Sequence, residues 1–375
     1  MWKFVQSVAI FNKINPFFCI RQYPKKGNFQ QFIKKRCTIF NIPLILLLFI
    51  NLLSPISMNK PIHKLIATIA LVTWSNLTFG QQIPLFTQYR EMSGVINPAA
   101  IGSDFFTKQH NVSFGVSYRR QWVDVQNPPT TQLLHGEWFN KDHTGVGLIA
   151  GGHLINDQTG PTGFTGGYGR VGVLFGSDPE TFGWSVGLNA GMVQYRIKTS
   201  ELKLHDPDDI RTAQDRMQLY PDLGVGAFFY QRVLRGSLRN DYFYGGISVP
   251  QIMGLDLSFA KGDGEFYTQR IQHAYAMTGW YHFLNTESFI ETAIWAKYSP
   301  AIPINVDLNV RYQMNSYFWI GAGSTARGNK IHAETGFVLG DWDNHCKLGY
   351  GFDYSFASFG PFVGATHELN ISYSF

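Results

Sequence analysis

The chain has 375 residues, of which only 15% are charged while 15% are aromatic and 38 are glycine. Soluble globular chains carry roughly 25% charged residues, so this balance disfavours a soluble enzyme and suits a sheet protein with one face in lipid. The formal charge of +5 comes from residues 1–80, which hold ten Lys/Arg and no acid. The rest has 21 basic against 26 acidic residues, and no basic stripe of the kind that binds nucleic acid.

Two apolar runs lie near the start. Ile39–Ser57 follows Lys34-Lys35-Arg36. Residues 1–57 are read as an over-called translational start, with a membrane helix flanked by its basic cluster as the alternative. From Met58, Lys60 and Lys64 form a basic n-region, Leu65–Trp74 an apolar h-region, and small or polar residues follow to Gly80. Residues 58–80 are therefore expected to be a signal peptide. Of Cys19, Cys37 and Cys346, only the last lies beyond this leader, so neither a disulfide framework nor a cysteine metal site is expected.

Residues 81–109 contain VINPAAIGS (Val95–Ser103), a short apolar, turn-rich phrase. Pro98 cannot donate within a sheet ladder. This segment is expected to be an ordered, non-strand piece at the inner mouth of the fold, either folded into the lumen or offered to periplasmic machinery.

Beyond residue 109, apolar and polar-or-small residues alternate, which places them on opposite faces of strands. In Phe182–Met192, for example, Phe182, Trp184, Val186 and Leu188 alternate with Gly183, Ser185, Gly187 and Asn189. Fourteen such segments are predicted: 110–122, 130–140, 144–156, 163–176, 181–197, 223–233, 241–250, 272–284, 287–298, 304–314, 317–327, 330–340, 345–357 and 364–375. Their length of about ten residues spans a bilayer when tilted, and their ends are rich in aromatics, as lipid–water girdles require. Alternate connectors are short (Lys141–His143, Ser177–Glu180, Asn285-Thr286, Asn315-Ser316, Asp341–Asn344). The opposite set holds the longest, Lys198–Asp222 and Gln251–Ile271. The expected fold is all-β, an outer-membrane antiparallel up-and-down β-barrel of about 14 strands over 110–375, with short periplasmic turns and longer outer loops.

One face of these strands carries Arg119, Glu137, Glu291, Lys297, Asp307, Arg311, Glu334, Lys347, Asp353 and Glu368. Mixed signs do not suit a strongly ion-selective pore; they suit a lumen stapled by ion pairs or filled by a plug. His135 with Glu137 and His332 with Glu334 could be acid–base or metal fragments, but hydrogen-bonded lumen groups are the commoner outcome. Asp206, Asp208 and Asp209 could hold a hard cation, though the loop lacks the glycine and terminal Glu of a defined calcium site. The Gly-x-Gly runs, such as Gly145–Gly152, lie inside strands rather than at a strand–helix junction, so they are not read as phosphate loops. No catalytic, cofactor or metal set is assigned.

Several phrases together resemble the PorP/SprF family of type IX secretion system membrane proteins. They are Phe86, Gln88 and Tyr89; Asn97, Pro98, Ala99, Gly102 and Ser103; Tyr118, Arg119, Gln121 and Trp122; Pro129, Thr131 and Gln132; the Tyr244–Gln251 phrase; and the ending Thr366–Phe375. An aromatic common in the family after Asn-Pro-Ala is Ala100 here. The resemblance covers essentially all of 81–375. It implies a non-enzymatic outer-membrane barrel of Bacteroidota-type bacteria. Such a barrel would assist secretion or surface anchoring of a secreted adhesin, in company with periplasmic or outer-membrane secretion machinery and possibly gliding machinery. A passive porin is the alternative. Candidate partner contacts are Asn97, Pro98, Gly102, Arg119, Gln121, Trp122, Thr131 and Gln132.

Overall fold

The computed structural model describes residues 86–140, 145–176, 178–198, 216–234, 240–253, 256–260, 265–269, 272–300, 302–357 and 360–375. The leader segments 1–57 and 58–80 and the Asp206–Asp209 cluster lie outside the described residues.

Fourteen strands close into one antiparallel barrel. They are β1 (Val112–Arg120), β2 (Thr130–Phe139), β3 (Val146–Thr159), β4 (Thr162–Phe175), β5 (Phe182–Ile197), β6 (Arg216–Leu234) and β7 (Asn240–Val249). After a separate hairpin of β8 (Asp256–Ala260) and β9 (Glu265–Gln269), the barrel resumes with β10 (Ala274–Phe283), β11 (Phe289–Ser299), β12 (Ile302–Met314) and β13 (Phe318–Thr325). It ends with β14 (Lys330–Gly340), β15 (His345–Ser355) and β16 (Thr366–Ser374). Each strand pairs with its neighbour in sequence, β7 pairs β10, and β1 meets β16 at the seam with Arg119 opposite Glu368. Closure leaves no unpaired edge for lipid to meet.

All fourteen expected segments are strands, with two differences in the long connections. β6 begins at Arg216, inside the expected Lys198–Asp222 loop, and the expected Gln251–Ile271 loop contains the β8–β9 hairpin. The early start of β6 runs through Pro221. This is possible because β7 pairs with β6 only from Val225 onward, so Pro221 meets β5 on one side and needs no ladder partner on the other.

The barrel is inside-out relative to a soluble protein. On β5, Phe182, Trp184, Val186 and Leu188 are exposed while Ser185 and Asn189 are buried; on β12, Leu308 and Val310 are exposed while Asp307, Asn309 and Arg311 are buried. On β16, Leu369, Ile371 and Tyr373 face out, and Glu368, Asn370 and Ser372 face in. An apolar outer band around a polar interior is the lipid-facing pattern. The two ends differ. One carries tight connections, such as the Asn315-Ser316 turn with both φ angles positive (47° and 58°), the signature of a type I′ hairpin. The other end carries the 199–215 and 250–273 connections.

The interior is filled by the segment before β1. It contains a 3-10 turn (Tyr89–Met92), α1 (Ser93–Ile96) and α2 (Ser103–Lys108). Met92, Asn97, Ala99 and Ala100 are fully buried.

Placing a cation on the outer band tests its contact with lipid. Leu188→Arg near the middle of β5 should destabilise the barrel by about 2–4 kcal/mol, measured by urea unfolding in lipid vesicles followed by tryptophan fluorescence. A cost near zero would mean that this face does not meet hydrocarbon.

Candidate functional site

The plug, residues 86–111, meets the wall in three stages. At its start, the Thr87 and Gln88 amides donate to the two carboxylate oxygens of Glu368 (2.7 and 2.9 Å). Arg119 donates to the Thr87 hydroxyl (2.5 Å) while pairing with Asp353 (2.5 Å) and Glu368 (3.0 Å). These wall residues sit on β1, β15 and β16 near the long-connection end, on both sides of the seam.

In the middle, Tyr89 tilts against Trp295 with ring centroids 4.5 Å apart and accepts a hydrogen bond from Asn309 (3.3 Å). Arg90 is inserted between two wall carboxylates, Glu291 (2.6 Å) and Glu334. Glu91 takes the opposite charges, Arg311 (2.7 Å) and Lys347. Charges of both kinds are expensive to bury unless paired and hydrogen-bonded, and here each is paired. Burial alone disfavours the Glu91 carboxylate, but Lys347 and Arg311 outweigh it and hold its pKa down at about 2. Asp104 is likewise held well below the carboxylate range, Lys347 (2.7 Å) and His345 (3.4 Å) prevailing over burial.

The VINPAAIGS stretch lies at mid-depth in the lumen. It therefore corrects the expected placement at the inner mouth and takes the lumenal alternative. Its backbone is irregular, so its polar groups need partners from elsewhere. Asn97 supplies some itself: its Oδ1 accepts the Ala99 amide (3.0 Å), and its amide side chain donates to the Ala227 carbonyl on β6 (3.0 Å). The wall supplies the rest. Ser248 donates to the Ile96 carbonyl (2.8 Å) and Ser185 to the Ala99 carbonyl (2.7 Å). Arg170 donates to the carbonyls of Pro98 (3.1 Å) and Ala100 (2.8 Å) and pairs with Glu137. Gly187 lets the chain approach: a Cβ there would stand 2.5 Å from the Pro98 oxygen. Pro98 loses nothing by lacking an N–H.

At the short-turn end, α2 drops Phe105 and Phe106 into an aromatic box. Phe105 lies edge-on to Phe139 (4.9 Å), and Phe106 stacks with Tyr244 (5.8 Å) and tilts against Tyr281 (5.6 Å). The helix stops at Gln109, whose φ of 61° closes its last turn onto the Phe105 carbonyl. The chain then enters β1. A cavity of about 30 Å³ beside Phe86 and Ile96 is small beside a solute path.

The ten charged residues expected on the lumen face all face inward, in the company of this plug. Arg170, Asp157 and Asp222 also face inward, Asp157 accepting from Thr131 (2.6 Å) and Asp222 from Tyr168 (2.8 Å), and Arg170 shares its face with Tyr168. Arg90, Glu91 and Asp104 were not singled out because the plug has no strand periodicity. His135 and Glu137 do not form a dyad, since Glu137 is taken by Arg170 and Ser113 (3.1 Å). His332 instead faces Asn309. Among the described residues no cluster of His, Cys, Asp or Glu could hold a metal ion. Of the candidate partner contacts, Asn97, Pro98, Arg119 and Thr131 are buried and Gly102 is half-buried, all used in internal packing. Gln121 and Trp122 are half-buried in the β1–β2 connection, Trp122 with φ 59°, and Gln132 is exposed on the outer wall.

Comparison with known proteins gives one family. The family described as type IX secretion system membrane protein PorP/SprF matches residues 78–373. No curated protein matches the chain. Among solved structures, the chain is similar to the CymD monoaromatic hydrocarbon channel (10% identity, 79% of this chain and 98% of that one, TM-score 0.44). It is also similar to a Pseudomonas aeruginosa FadL homologue (10%, 79% and 98%, TM-score 0.45). CdiB from Acinetobacter baumannii is a further likeness (7%, 71% and 60%, TM-score 0.39). At these scores the likenesses add nothing to what the strand pairing itself shows.

The Glu91 contacts make plug docking pH-dependent. Its folded pKa, about 2, lies below the ordinary 4.5. The stabilisation is therefore complete above the ordinary value of 4.5 and lost as pH falls toward about 2. Hydrogen exchange of 86–111, corrected for the intrinsic rate, should rise sharply between pH 7 and 3, and Glu91→Gln should shrink the difference. Equal protection at both pH values would contradict the assigned pairing.

Proposed function

We infer that this chain, which belongs to the PorP/SprF family of type IX secretion system membrane proteins, assists the secretion of a partner protein and holds it at the cell surface. An adhesin of the type IX pathway is the kind of partner meant, and periplasmic or outer-membrane secretion machinery would deliver it. A link to gliding machinery belongs to the same reading. The barrel contributes a rigid, lipid-seated support rather than chemistry, and no catalytic role is assigned.

The observation that carries this reading is the filled lumen. A barrel whose interior is occupied by its own ion-paired segment is poorly suited to steady diffusion, which disfavours the passive porin. A supporting role needs a stable wall and accessible loops. Trp122 offers one such place, a residue in a sparsely populated backbone conformation on a half-exposed connection, where strain is often retained for contact.

Deleting the gene should lower the amount of at least one secreted protein at the cell surface. Quantitative surface proteomics of the deletion strain and its complemented parent measures this, and an unchanged surface proteome would rule the reading out. Complementation with Trp122→Ala should restore the barrel in the membrane but only part of the surface retention.

A further inference from the structure

Ten of the wall's ion-paired lumenal residues named above, with Arg170, fall into two sets by what they pair with. Arg119 with Asp353 and Glu368, Arg170 with Glu137, and Lys297 with Asp307 (2.5 Å) keep their ion pairs between strands, although Arg119, Glu368 and Arg170 also hydrogen-bond to the plug. The second set pairs with the plug. Glu291 and Glu334 hold Arg90, while Arg311 and Lys347 hold Glu91, and Lys347 also holds Asp104. Two wall carboxylates therefore match two wall cations, before any plug charge is counted.

The register brings three of these four together. Arg311 on β12 stands directly opposite Glu291 on β11. On its other side Arg311 faces Gly321 of β13, which in turn faces Glu334 of β14. Cross-strand partners are about 5 Å apart and next-but-one strands about 9.5 Å apart. Gly321 leaves the intervening space free: a Cβ there would stand 2.6 Å from a Glu334 carboxylate oxygen, so Glu334 already leans over β13 toward Arg311. One guanidinium can therefore reach both carboxylates that Arg90 now occupies. Lys347, whose strand neighbour on β16 is Ser372, would be left to lumenal water.

We propose that the plug is a releasable stopper and that Arg311 is the exchange residue: it binds Glu91 when the plug is seated and takes Arg90's place between Glu291 and Glu334 when the plug withdraws. Removing one partner of a buried pair normally leaves an uncompensated charge, which is strongly destabilising. The exchange avoids that for both wall carboxylates, and so gives the lumen two states rather than one. The proposal holds whichever protein the barrel serves, and its test needs no partner.

The test uses the purified full chain in planar bilayers, with Cys19, Cys37 and Cys346 changed to Ser, and Thr87→Cys with Gly351→Cys. A Cβ at Gly351 would stand 3.0 Å from the Thr87 Cβ, close enough for a disulfide after a small shift. The oxidised protein should stay closed, and reduction should bring transient openings. In the reduced protein, Arg90→Gln should raise the open fraction at least about tenfold. Arg311→Gln should lower it below the reduced parent, because withdrawal then strands Glu291 and Glu334. A merely structural Arg311 predicts the reverse, since losing its Glu91 pair would loosen the plug. Equal currents before and after reduction, or more opening in Arg311→Gln, would overturn the proposal. Should Arg311→Gln fail to give the heat-modifiable gel shift of a folded barrel, the maleimide labelling rate of Thr87→Cys decides. Faster labelling in Arg90→Gln supports release, and an unchanged rate overturns it.

Discussion

Everything inside this barrel depends on one requirement: a backbone that is neither helix nor strand has to find hydrogen-bond partners at membrane depth. Such backbone is tolerated there only when it is buried in protein or lines a wet cavity. The stretch from the last residue of α1, Ile96, through the irregular 97–100 meets the condition through side chains placed on three strands, Arg170, Ser185 and Ser248, which donate to the carbonyls of Ile96, Pro98, Ala99 and Ala100. These donors fix where the plug can lie. The small lumenal residues beside them, Gly187 among them, then follow as clearance for a chain held close to the wall.

Charge is subordinate to that placement but gives it register. Arg90 and Glu91 are adjacent, and the wall presents acids to one and bases to the other, so the plug cannot slide by a residue without opposing like charges. The aromatic box around Phe106 then fixes the other end by packing, where ring pairs add about 0.5–1.5 kcal/mol each beyond burial. Three different forces thus act on three consecutive parts of one short segment.

The barrel was legible in the sequence because its period of two is local. Strand segments such as Phe182–Met192 declare both faces within eleven residues, and ten inward charges could be assigned by parity. What could not be read came from distance. Pro221 reads as a breaker until β7 is known to stop short of it. Arg90 and Glu91 read as an ordinary polar pair until strands 200 or more residues away bring Glu291, Arg311, Glu334 and Lys347 against them. VINPAAIGS was visible as irregular and therefore as not a strand. Its depth in the lumen depends on Ser185, Arg170 and Ser248, none of which is near it in the chain.

The position of Glu368 has a consequence for how the molecule assembles. This residue lies on the last strand, faces Arg119 of the first strand across the seam, and receives the amides of Thr87 and Gln88, 281 and 280 residues earlier in the chain. The clamp on the earliest described part of the plug is therefore incomplete until the final strand is in place. Contacts of such sequence separation are slow to form, so seating the plug and zipping the seam become a single late step. A chain lacking β16 would lose closure and this clamp together, so the seam and the start of the plug report on each other.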